Sequence, residues 1–210
     1  MKKVLYDVGY VDLTLGTEAL WKHINARNEI RKAQKSGVVV STVKGAGDDF
    51  LDCKVLLASL MNRRRVPYDK VFDEILQNKN NDVFLAKIGG EIISFIVVTQ
   101  RSFGAEGKSE AYLTLSATDE KYASLCPNYL LLWTAIEHYA HAHVHRFNLG
   151  LLTYRDCLDP DLQSVSFYKH KWITSSETRE EYVSFFKYLY LRFIKRYRLA
   201  KTLLWLARRL

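Results

Sequence analysis

Apolar and polar positions change their period several times along the chain, and each change marks an element. Residues 4–13 mix β-branched and aromatic side chains and predict a strand. Residues 18–35 follow a helical period, with Thr17 as a plausible N-cap and Gly37 as the stop. Val38 to Val43 is a β-branched run and predicts a strand. After the Gly45-Ala46-Gly47 linker, Asp48 can cap a helix that runs to about Arg65, where Pro67 ends it. A shorter helix follows Asp69 and reaches about Asn78.

From residue 83 the pattern becomes that of strands. Val83 to Ile88 and residues 91–100 flank Gly89-Gly90, a two-residue turn of the hairpin kind. A third strand spans 110–117. Pro127 stands where the first turn of a helix tolerates it, and 128–143 continue that helix. Phe147 to Gly150 predicts a short strand, 162–171 a helix, and a helical segment is expected from about residue 178 to the end. The result is an α+β fold, an antiparallel-dominated mixed sheet flanked by helices, closed by a basic C-terminal helix.

Charge changes this picture only at one end. The net charge is +8, and residues 182–210 carry eight cations and no Asp or Glu, so the preceding 181 residues are balanced. Aromatic residues interleave with those cations, which suits an anionic membrane surface, a partner or tRNA phosphates. Cys53, Cys126 and Cys157 are widely spaced and include no CxxC pair, which excludes a disulfide framework or zinc ribbon and fits a reducing compartment. Asp7 and Asp12 interrupt the N-terminal apolar run, so no signal peptide is expected. No run of about 18 uncharged apolar residues predicts a membrane span. His138, His141, His143 and His145 have partial metal-ligand spacing but share no clear carboxylate, and predict a solvated helix end rather than a metal site. Arg27, Arg31, Lys32 and Lys35 form a basic helix face, either solvated or in contact with phosphate.

Five segments carry a more specific likeness. Residues 27–38 (RNEIRKAQKSGV) are similar to the RxxIRKAxKxGV junction of FemAB-type proteins, in the GNAT acyltransferase superfamily. Residues 84–92 (FLAKIGGEI) resemble the FLAxxxGKxI hairpin of the second lobe in that family. Pro127 to Ile136 resembles its PNYLLxWxAI helix, Asn148-Leu149-Gly150 its DxG strand end, and Tyr168 to Trp172 its FKxxF element. The order helix, helix, three antiparallel strands, helix, strand, helix is also the order of a GNAT core. Departures exist: Asn148 replaces an acidic residue, and Tyr168 and Trp172 replace phenylalanines.

The resemblance implies an enzyme that transfers an aminoacyl or acyl group to an amine of a cell-envelope precursor. It also implies a division of the chain. Residues 1–43 would be the remnant of a first lobe with its junction helix, 44–177 the GNAT-like domain and 178–210 the basic helix. A separate chain could then supply the first lobe. Lys169 of the FKxxF-like element would stabilise the tetrahedral oxyanion, and Tyr112, on the third strand, would face the acyl site or pack in the core. Tyr168, Asn128, Tyr129, Arg31 and Lys32 are the expected substrate-binding residues. No resident cofactor is expected; the donor is aminoacyl-tRNA or acyl-CoA. The turn at 121–127 contains no glycine, and Pro127 has no N–H to offer pyrophosphate, which favours aminoacyl-tRNA. Two alternatives stand beside this reading. One is a CoA-dependent N-acyltransferase acting on an amino sugar or polysaccharide unit. The other is a non-catalytic partner subunit that binds membrane or RNA through its tail. A cytoplasmic protein, peripheral at the inner face of the plasma membrane, fits all of these.

Overall fold

Strand formation follows the β-branched and aromatic runs closely. A computed structural model describes residues 1–105, 107–155, 160–184 and 188, with side chains outside 160–163. The strands are β1 (Lys2–Asp12), β2 (Val39–Lys44), β3 (Asn81–Ile88), β4 (Glu91–Phe103), β5 (Lys108–Thr118), β6 (Arg146–Tyr154) and β7 (Ser175–Val183). The helices are α1 (Thr17–His23), α2 (Arg27–Lys35), α3 (Phe50–Arg63), α4 (Val71–Gln77), α5 (Pro127–His141) and α6 (Pro160–His170). The fold is α+β, with antiparallel pairing wherever register is defined.

The larger unit, Asp12–Phe147, contains β2 to β5 in that order. Residues 83–86 of β3 are all fully buried, because both faces of these strands are covered. On one face Leu57 of α3 and Leu76 of α4 pack with Val83, Leu85, Phe95 and Val97. On the other, α5 packs on β3 and β4, and the Phe84 ring meets Tyr139 at 6.2 Å. Helices α1 and α2 lean on α5, with Trp21 and Trp133 4.9 Å apart. Such two-sided burial leaves polar groups no route to water. Asp82, 3% exposed, is accordingly held by the Tyr139 hydroxyl at 2.7 Å and by Lys44 Nζ at 2.7 Å. Burial alone would raise the Asp82 pKa; the two donors outweigh it and hold the carboxyl below its usual range.

The smaller unit joins residues 1–11 to Asn148 and beyond. Within it the strand order is β6, β1, β7, and β1 pairs antiparallel with β7 from Lys2↔Val183 to Tyr10↔Ser175. This corrects the helix expected from residue 178. The alternating run of β7 is drawn into a ladder with β1, and the Arg179 guanidinium donates to the Tyr10 hydroxyl at 2.6 Å. Beyond β7 only Ser184 and Tyr188 are described, with the Tyr188 N–H bonded to the Ser184 carbonyl at 2.9 Å, and the remainder of the expected basic helix lies outside the described residues.

A second correction concerns residues 18–35, which form two helices instead of one. Ile24 is extended (φ −66°, ψ 144°) and ends α1. The Arg27 side chain turns back and donates to the carbonyls of Trp21 and Lys22, at 3.2 and 2.9 Å. Those carbonyls would otherwise lack helical partners, so Arg27 acts as a C-terminal cap and leaves the expected basic face.

The link from β2 into α3 depends on Gly45. Its φ is +62°, and a Cβ there would stand 2.9 Å from the Gln77 carbonyl oxygen. Gly47 also has positive φ (+53°) but opens on free space. Gly45→Ala is expected to add a backbone clash of about 1–3 kcal/mol to a left-handed penalty of about 1–2 kcal/mol. Gly47→Ala should incur the second term alone. Urea unfolding of the two variants measures the difference, and equal midpoints would show that the Gln77 carbonyl yields freely.

Candidate functional site

Lys169 is positioned by the last turn of α6, where Trp172 N–H bonds back to the Lys169 carbonyl at 3.0 Å. Its half-buried ammonium donates to the Leu151 carbonyl of β6 at 2.8 Å. Just before it, Asn148 Oδ1 accepts from the Gly150 N–H at 2.7 Å, and Gly150 has φ +74°. Only glycine takes that conformation without a Cβ penalty, so Asn148 and Gly150 together bend β6 immediately ahead of the carbonyl that receives Lys169. No carboxylate pairs with Lys169 among the described residues. Burial therefore acts unopposed and pulls its pKa down from 10.5 to about 8. An ammonium has three donors, and the Leu151 carbonyl takes one. Next to it, Tyr168 sets its ring 6.2 Å from that of the fully buried Trp172.

The other expected residues belong to the larger unit, and they divide among three places. Tyr112 lies on β5 beneath the Arg101 guanidinium, 4.1 Å from the ring centroid. Asn128 and Tyr129 open α5, preceded by Cys126 in the left-handed conformation (φ 60°) and by Pro127 at the first helical position. Glu120–Leu125 form a six-residue 3-10 helix there, and the Tyr129 N–H is already bonded to the Cys126 carbonyl at 3.1 Å. The helix start thus offers fewer free amides than a glycine-rich turn would. Arg31 and Lys32 line a groove on α2 together with Asn28, Lys35 and Ser36.

Two features near Tyr112 escaped the sequence reading. β4 and β5 shift register between Val97↔Leu115 and Val98↔Leu113, so Thr114 is an extra residue on β5. Its hydroxyl is 2.8 Å from that of Thr99, which donates to Asn81 Oδ1 at 2.9 Å. A bulge of this kind interrupts the ladder and re-aims side chains. The second feature is Glu110, 1% exposed, which accepts 2.6 Å bonds from Nε of both Arg101 and Arg146. The pairing Arg101↔Glu110 is cross-strand and could have been found only with the register in hand. Among the histidines, His138 meets the Phe84 ring edge-on at 5.6 Å, and His145 Nδ1 lies 3.2 Å from the Ser109 hydroxyl.

An α+β order with a bulged β4–β5 pair and a helix start after it defines an acyltransferase fold. The chain belongs to the acetyltransferase (GNAT) domain family, whose family model matches residues 22–156. Among solved structures it is similar to the C-terminal DUF2156 domain of a lysylphosphatidylglycerol synthetase described as putative, from Agrobacterium fabrum. That match has 18% identity and TM-score 0.60, and covers 85% of this chain and 60% of the other. L-PGS from Bacillus licheniformis matches at 14% identity and TM-score 0.61, over 93% and 68%. FemX matches at 14% identity and TM-score 0.58, over 88% and 63%. The chain therefore spans less than two thirds of the Agrobacterium domain and of FemX. Among curated proteins no sequence matches the chain. The identities are those of a shared fold. No helix among the described residues is long and apolar enough to cross a membrane.

Glu110 carries a stability prediction. Glu110→Ala leaves Arg146, whose side chain is 16% exposed, without this carboxylate and should cost about 3 kcal/mol. Arg101→Ala, at a side chain 44% exposed, should cost under about 1 kcal/mol. Chemical denaturation of the two variants tests the ranking; equal losses would mean that Glu110 holds β4 to β5 more than it neutralises Arg146.

Proposed function

We propose that the chain transfers an aminoacyl group from aminoacyl-tRNA to an amine of a cell-envelope precursor. The observation that carries this reading is Lys169: a half-buried ammonium fixed by the Leu151 carbonyl, with no counter-ion and no other acceptor among the described residues. Acyl transfer is accelerated by a donor aimed at the developing oxyanion, and an ammonium is one such donor. The amine nitrogen adds to the ester carbonyl and negative charge develops on its oxygen. The C–O bond to the ribose then breaks, and the proton lost by the amine ends on the departing hydroxyl. A desolvated cation aimed at that oxygen stabilises the transition state more than it would in water. The likeness in fold to FemX and L-PGS supports an aminoacyl donor, and the lysylphosphatidylglycerol synthetase name of the Agrobacterium neighbour is compatible with an acceptor carried on a lipid. The glycine-free turn before α5 weighs against acyl-CoA.

The test is transfer from aminoacyl-tRNA to an amine acceptor, with acetyl-CoA as the competing donor. Losing an oxyanion donor costs about 10²–10³ in kcat, and Lys169→Met should show that loss with an unchanged or raised thermal midpoint. The pH dependence has a defined sign. The protonated amine is the working form, so wild-type activity should fall as pH rises through about 8, and Lys169→Met should lack that limb. For folding, the depressed pKa means that the unfolded state binds more protons between about 8 and 10.5, so this residue's contribution to stability rises with pH across that window. Activity of Lys169→Met within about threefold of wild type would remove the residue from the chemistry.

A further inference from the structure

Helix α2 carries an open groove of about 430 Å³, lined by Asn28, Arg31, Lys32, Lys35 and Ser36. No carboxylate lines it, and none of its three cations enters an ion pair among the described residues. Elsewhere in the same unit several cations are matched, Lys22 by Glu18, Lys44 by Asp82, Lys54 by Asp73 and Lys87 by Asp49, while single lysines such as Lys70 and Lys79 enter no ion pair among the described residues. Helical spacing sets Asn28, Arg31, Lys32 and Lys35 on one side, with Arg31 and Lys35 four apart. Like charges at that spacing oppose helix formation. The helix C-terminus gives Lys32 and Lys35 a local reason, since cations are favoured in the last turn, but that reason does not extend to Arg31. Arg31 is also oriented, with its guanidinium 5.7 Å from the Trp21 ring.

We propose that this groove binds the phosphate groups of a nucleotide, either free or at the end of an RNA strand. A guanidinium fork with two ammonium groups and a carboxamide matches phosphate oxygens. The volume fits a ligand of nucleotide size rather than a lone inorganic ion. The exposed positions Arg31, Lys32, Gln34 and Lys35 include no large apolar side chain, and a helix that lies on a bilayer needs one face of them. The shape and composition therefore favour a discrete ligand over a membrane surface. α2 touches the turn at 120–125, so a ligand held here would lie beside the approach to α5 without using the turn's own residues. The inference rests on the groove and not on which group the enzyme transfers.

The test is calorimetric titration of the full chain with inorganic pyrophosphate, ADP, a 5′-phosphorylated single-stranded RNA and anionic phosphatidylglycerol vesicles. Pyrophosphate and ADP are expected to bind, with tighter binding of the RNA if a strand end is the ligand and equal binding if a free nucleotide is. Arg31→Gln with Lys35→Gln should weaken these affinities about tenfold or more, and flatten the dependence on salt. Lys70→Gln with Lys79→Gln removes the same charge away from the groove and should change them less than about twofold. Arg31→Lys with Lys35→Arg should retain binding, and circular dichroism should be unchanged in all three. Equal loss in the groove and control variants would reduce the effect to net charge and overturn the proposal. Unchanged binding in the groove variant, binding of no phosphate ligand, or a loss confined to vesicles would overturn it as well. Because the readout is binding, an inactive chain that holds pyrophosphate leaves this inference standing.

Discussion

Covering strands on both faces is the constraint from which most of the larger unit follows. β3 is buried from Asn81 to Ala86, with α3 and α4 on one side and α5 on the other. In such a place a backbone group is satisfied by the ladder, but a polar side chain has to bring its own partner. Asn81 and Asp82 are the first two residues of that strand, and both are matched. Asn81 accepts from Thr99 and donates to the Ile75 carbonyl, while Asp82 is held by Tyr139 and Lys44. The Tyr139–Asp82 bond ties α5 to β3 through a carboxylate, so the helix that opens at Pro127 is fixed in register with the strands beneath it. Leaving either partner alone in that interior would cost more than the bond itself contributes.

The same constraint explains why the Glu110 pair lies where it does. Toward the far end of β4 the cover thins: Gln100, Arg101 and Ser102 are exposed, whereas Ile93 to Val98 are buried. Polar side chains can enter there, whereas the register shift at Thr114 lies earlier, opposite the fully buried Val97 and Val98. Glu110 is the one carboxylate carried fully into the interior of this end, and two arginines meet it. Both arginines lie over aromatic rings, Tyr112 and Phe103, which restricts the directions their remaining nitrogens can take.

The parts of this arrangement that were legible in the chain are those set by local chemistry. The Gly89-Gly90 hairpin, the Pro127 helix start and the apolar run of β3 each depend on residues within a few positions of one another, and each formed as read. What escaped depends on partners far away in sequence. Arg27 reads as one more basic helical residue until its reach to the Trp21 carbonyl is known. Residues 178–183 read as helical until β1, more than 170 positions earlier, offers a ladder. The extra residue Thr114 has no composition signal, because a bulge is a relation between two strands. Lys169 came from the likeness of its motif, and its desolvation came only from the fold.

Charges that the fold does not use are the remaining argument about function. Many ionised groups of the described residues are accounted for by a partner, as Lys54 is by Asp73 and Arg155 by Asp7. A matched pair at the surface contributes little stability, yet it explains why both residues can be there. A lone unmatched cation in solvent needs no explanation, since water suffices, whereas like charges set together on one helix do. The informative cases lie between these limits. Among the described residues, Lys169 is out of water enough to lower its pKa but has only a carbonyl opposite it, and three α2 cations line one groove without an acid. Each arrangement costs folding free energy, through desolvation in the first case and like-charge repulsion in the second. An anionic oxygen would relieve both. The two differ in the oxygen they suit: a single desolvated ammonium suits a charge that appears only during reaction, while a solvated cluster suits one that is present from the start.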